Sequence, residues 1–102
     1  MEITDFGYFE AISDRHGMLY FVNSDGLDWY DMRVALTEWE EATGDYVNAV
    51  YGAWAMVDSD GIVTNVEQDP SRLMPGNRTV LGIDASHEDI RPGMVWNGKE
   101  LL

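Results

Sequence analysis

Short apolar runs cut by Asp, Asn and Gly fill the second half of the chain, and they restrict it to hairpins. Trp54-Ala55-Met56-Val57 leads into Asp58-Ser59-Asp60-Gly61, and Ile62 to Glu67 runs back. Strands this short, joined by residues that favour tight turns, build antiparallel sheet. Thr79 to Ile83 reads as another strand, reached through a loop from Asp69-Pro70 to Pro75-Gly76-Asn77. Met94-Val95-Trp96, Asn97-Gly98 and Lys99 to Leu102 read as a closing hairpin, with Asn-Gly suited to a type I′ turn.

The first half adds two strands and a helix. Phe6 to Ser13 is short and aromatic, Asp14-Arg15-His16-Gly17 is a turn, and Met18 to Val22 is apolar at every position. That last pattern predicts a strand covered on both sides. Asn23-Ser24-Asp25-Gly26 turns the chain again. Ser-Asp-Gly thus occurs twice, at 24–26 and 59–61, as a turn and not as a repeat.

Trp29, Met32, Leu36 and Trp39, widened by Ala35 and Ala42, are spaced as one apolar helix face. The expected helix covers about residues 28–43, with Asp28 as N-cap and Gly44 at its end. Trp29 and Trp39 would lie in the core beneath it, and Trp54 would pair across a hairpin. Asp31, Glu38 and Glu41 would share the opposite face, either solvated or a partner surface. Glu40 and Glu41 would oppose the helix dipole. Tyr46 to Val57 returns to strand character, and Gly52 within it suggests a bulge or a close backbone approach. The expected architecture is a small α+β domain: a mostly antiparallel sheet of hairpins with one amphipathic helix packed on it.

The chain has 102 residues, 45% of them hydrophobic, enough for one core and one domain over 1–102. It has no cysteine, so disulfides and thiolate metal sites are excluded. Glu2 and Asp5, with no early Lys or Arg, do not make a signal peptide. The longest apolar stretch, 49–57, is shorter than the roughly 20 residues a membrane helix needs. Net charge is −13, and residues 1–51 hold eleven acids against Arg15 and Arg33. Such a surface repels nucleic acid and anionic lipid, and it suits a basic partner.

Residue groupings that would carry chemistry are scarce. In 58–69 and in 23–28 the spacing of oxygens and glycine does not fit an EF-hand loop. His16 and His87 are the only imidazoles, with no nucleophile grouped beside them. Carboxylate pairs such as Glu38 with Glu41, or Asp58 with Asp60, arise by chance in so acidic a chain. Neither a Walker A loop nor a dinucleotide fingerprint is present. The expectation is therefore a non-enzyme with no cofactor, no metal and no catalytic residues. Trp96, beside the terminal turn, is expected as an exposed anchor. With Asn97, Asp31, Glu38 and Glu41 it makes the candidate partner-contact set.

The segments 55–66, Pro75-Gly76, Val80 and 92–99 together resemble a module of bacteriophage tail-fibre and tail-fibre-assembly proteins. That module has a strand, an Asp/Gly turn, a G-x-V-x-N-V strand, a Pro-Gly loop and a G-x-x-W-x-G hairpin. The resemblance covers residues 53–102 and does not reach 1–52. It implies a tail-associated structural or assembly protein, in the virion tail or in the host cytoplasm during assembly. Its partners would be fibre, tail or baseplate proteins, or a second copy of the chain, with no direct nucleic-acid binding and no membrane. The charge raises an alternative: an acidic imitation of nucleic acid that inhibits a basic host defence protein.

Overall fold

The computed structural model describes residues 1–47 and 49–102. In chain order it contains β1 (Ile3–Ser13), β2 (Leu19–Asn23), α1 (Trp29–Ala35), β3 (Glu38–Glu40), β4 (Asp45–Val47), β5 (Ala53–Val57), β6 (Val63–Glu67) and β7 (Arg78–Ile83). Short 3-10 turns lie at Pro70–Arg72, between β6 and β7, and at His87–Asp89, after β7. Five strands form one antiparallel sheet in the order β2-β1-β7-β5-β6. β3 and β4 pair separately as a two-stranded ribbon. This is the α+β architecture that the residue pattern predicts. No helix among the described residues is long and apolar enough to cross a membrane.

β5 is the middle of the molecule, and all five of its residues are buried. Successive side chains leave opposite faces of a strand. Ala53, Ala55 and Val57 accordingly join Val63, Leu81, Ile83 and Ile90 in one core. Trp54 and Met56 join Phe9, Trp29, Leu73 and Val80 in a second. Residues 90–101 cover the first core through Ile90, Met94, Trp96 and Leu101. The helix covers the second, with Met32 and Leu36 packed against it. Every buried residue of the first core lies in 53–102, and the second draws on both halves of the chain.

Three turns share one hydrogen-bond pattern. Asp14, Asn23 and Asp58 each accept, through Oδ1, the N–H groups two and four residues on, at 2.8–3.0 Å. In each, a glycine three residues on donates to the first residue's carbonyl, with φ of +79° to +82°. Glycine adopts that left-handed backbone at little cost, and the Asx side chain satisfies amides the ladder leaves free. The Asp58 carboxylate that opens a calcium-like stretch is thus a turn organiser.

The helix is shorter than its apolar spacing predicts. Asp28 caps it as expected, accepting the Asp31 N–H at 3.2 Å. Removing that acceptor in Asp28→Ala is expected to cost about 1 kcal/mol, read from the urea midpoint, with Asp28→Asn close to wild type. The C-cap, however, is Leu36 and not Gly44. The Thr37 hydroxyl donates to the Arg33 carbonyl at 2.6 Å, and the Val50 N–H donates to the Leu36 carbonyl at 3.0 Å. Both bonds satisfy end carbonyls that another turn of helix would otherwise take. Residues 38–40 then become β3, and Gly44, at φ +69°, serves the β3–β4 turn.

Three other segments also depart from the residue pattern. The single strand expected over 46–57 is split into β4 and β5, and Asn48 within it lies outside the described residues. β2 is not covered on both sides: it is an edge strand, and Leu19 and Tyr20 are exposed. The closing hairpin forms, with Trp96 bridged to Leu101, but around four residues, 97–100. A type I′ turn would need positive φ at Asn97, and Asn77 is the one described non-glycine with positive φ.

Candidate functional site

The acidic residues expected on one helix face are dispersed. Asp31 stands exposed in the first turn of α1, Glu38 lies in β3, and Glu41 lies in the turn after it. Glu38, Glu40, Glu41 and Asp45 are all exposed on the β3–β4 ribbon. Trp39, expected in the core, sits on the same ribbon with 56% of its surface exposed. The ribbon is thus an aromatic side chain set among carboxylates.

Trp96 is not the free anchor expected of it. It is half-buried and packs against the first core. Its N–H donates to the Gly61 carbonyl at 2.7 Å, which ties the C-terminal segment to the Asp58–Gly61 turn. Asn97 is exposed, but its Oδ1 accepts the N–H groups of Lys99 and Glu100 at 2.9 and 2.8 Å. Both residues hold the closing hairpin together, so their first role is structural.

Two concavities lie elsewhere. A cleft of about 690 Å³ is lined by Asp45, Tyr51, Glu67, Asp69, Arg72 and His87, among others. Both signs of charge face it. Asp69 already accepts the Ser71 N–H at 2.9 Å, and the Tyr51 and Thr4 hydroxyls are hydrogen-bonded at 2.8 Å. Among the described residues no three His, Asp or Glu side chains converge as metal ligands would. His16 lies in the β1–β2 turn, where its Nε2 accepts from Arg15 Nε at 3.2 Å, far along the chain from His87.

The second concavity, a groove of about 240 Å³, runs beside β2 between that strand, α1 and residues 71–74. Buried Trp29 and Leu73 contribute to its walls, and Trp29 Nε1 donates to the Leu73 carbonyl at 3.2 Å. Exposed Leu19, Tyr30 and Met74 also line it. Sequence reasoning missed this groove. One signal was available: Met18 to Val22 is an apolar run, and such a run left in solvent marks a contact surface.

No family model, no curated protein and no solved structure matches this chain.

Proposed function

We propose that this chain is a bacteriophage tail-associated structural or assembly protein that works through protein–protein contact and not through catalysis. One observation carries the reading. In residues 53–102 the elements named for the tail-fibre-type module occur in its order, as strand β5, the Asp58–Gly61 turn, strand β6, the Pro75-Gly76 loop and the closing hairpin, with strand β7 added between the last two. Those residues also supply every buried side chain of the first core. Exposed apolar side chains then cluster on the other half, on β1, β2 and α1. A module with its own buried core, joined to an apolar, acidic surface, suits a subunit that docks.

The test is sedimentation of tails and fibres from cells producing the chain together with tail genes. The chain is expected in the particle fraction, or transiently on fibre intermediates. Fibres that assemble normally in its absence, with none of it bound to any tail component, would refute the reading.

A second reading, an acidic inhibitor of a basic host protein, is favoured by the ribbon that carries Glu38, Glu40, Glu41 and Asp45. It requires binding to a nucleic-acid-binding protein that weakens steeply with salt. Neutralising two carboxylates in Glu38→Gln/Glu41→Gln should lower that affinity several-fold at low salt. Equal affinity of the variant and the parent chain would remove the ribbon from consideration.

A further inference from the structure

The hairpin pairing of β1 with β2 determines which backbone groups of the edge strand face outward. The Asp14 N–H donates to the Met18 carbonyl at 3.0 Å, and the Asn23 N–H donates to the Leu27 carbonyl at 3.1 Å. Alternation in an antiparallel pair then turns the groups of residues 18, 20 and 22 towards β1 and those of 19, 21 and 23 away from it. Asn23 is taken by Leu27, and a bridge between Val22 and Asp28 closes that end. Among the described residues, no backbone partner takes the Leu19 N–H, the Leu19 carbonyl or the Phe21 N–H. Proteins commonly blunt such an edge with charge, proline or a bulge. Leu19-Tyr20-Phe21 has none of these.

The groove beside this edge makes the opening specific. At about 240 Å³ it is smaller than the roughly 300–1,000 Å³ of small-molecule pockets. It suits a side chain or two. Tyr30 and Met74, 57% and 67% exposed, are its outer side chains.

We propose that the β2 edge and this groove form a docking site for an extended segment of a partner protein, apolar at its centre and basic at its flanks. The segment adds as a strand beside Leu19–Phe21 and seats one apolar side chain between β2 and α1. Backbone pairing supplies affinity and the groove supplies selectivity. The inference rests on the protein-contact reading above. Charge selects this occupant over a second copy. The chain carries −13, and Asp14, Asp25, Asp28 and Asp31 lie on β2's two turns and on α1 with its cap. Against them stand Arg15, Arg33 and, in the 71–74 segment, Arg72, and the Arg33 guanidinium is placed over the Tyr30 ring at 4.7 Å. A second copy would set like charge against like, whereas flanking Lys or Arg would not.

The probe is the peptide Lys-Val-Thr-Phe-Val-Lys, titrated into the full chain and followed by amide and indole NMR shifts. Shifts are expected at Leu19, Phe21 and the Trp29 indole, and binding should weaken as salt rises. Replacing both Lys by Glu should weaken it about tenfold. Leu19→Pro removes one outward N–H and leaves the β1 ladder intact, for a loss of about fivefold. Tyr30→Ala, at an exposed position, should weaken binding without altering the fold. Shifts confined to another surface would overturn this site while leaving the contact reading standing. Absence of any shift at millimolar peptide would also overturn it, and tail sedimentation would then decide the broader reading separately. A dimeric chain with Leu19 and Phe21 amides protected would overturn it in favour of a second copy.

Discussion

Trp54→Ala is expected to destabilise the protein by about 3–5 kcal/mol, the largest loss from a single side chain. Trp54 is fully buried at the centre of the second core. The Phe6 ring stacks on it at 5.7 Å and 17°. Tyr51 and Trp29 meet it edge-on at 5.3 and 6.0 Å. Its Nε1 donates to the Tyr51 carbonyl at 3.1 Å. Truncation removes the ring that the other three pack around and takes away that carbonyl's donor. Domains of this size hold about 5–15 kcal/mol in total, so much of the folded population is at risk. Urea unfolding followed by near-ultraviolet circular dichroism reads the effect. A loss below about 1 kcal/mol would mean that Phe6, Tyr51 and Trp29 close over the gap. Trp39→Ala, on the exposed ribbon, should cost far less.

Gly52→Ala should lower stability by about 1–3 kcal/mol, although Gly52 itself is exposed. The reason is contact and not backbone strain, since its φ is outside the left-handed range. A Cβ there would run into the Ala85 carbonyl oxygen. That oxygen is backbone, so no rotamer change relieves the clash, and the segment entering β5 must move off the chain leaving β7. Alanine also restricts the unfolded chain, which returns about 0.4–1 kcal/mol. The net effect should still appear as a fall in Tm, at about 4–8 °C per kcal/mol for a domain of this length. An unchanged Tm would show that residues 84–86 yield freely.

Much of the local structure was legible in the residues. Asp28 capped a helix and Gly52 marked a close approach, as their residue types suggested. The turns at 14–17, 23–26 and 58–61 stood where Asp, Asn and Gly placed them. One signal against a helix reaching residue 43 was present, because Glu40 and Glu41 would have faced an unfavourable dipole. The apolar spacing of Leu36 and Trp39 argued the other way. Trp39 fits a helical stripe, but it fits an exposed ribbon equally well once the chain leaves the helix at Thr37. The candidate contact residues fared differently: Trp96 turned inward and Asn97 became a turn brace, while Asp31, Glu38 and Glu41 stayed exposed on separate elements.

Turns, cap and strand alternation depend on groups within about four residues of one another, so the sequence alone determined them. Position in the sheet does not work that way. Met18–Val22 and Ala53–Val57 are both unbroken apolar runs, yet one is an open edge and the other is the covered centre. The difference arises because β1 pairs with β7 across roughly seventy to eighty residues, and β7 then pairs with β5. Only that long-range pairing decided which apolar strand would face solvent, and with it where a partner could dock.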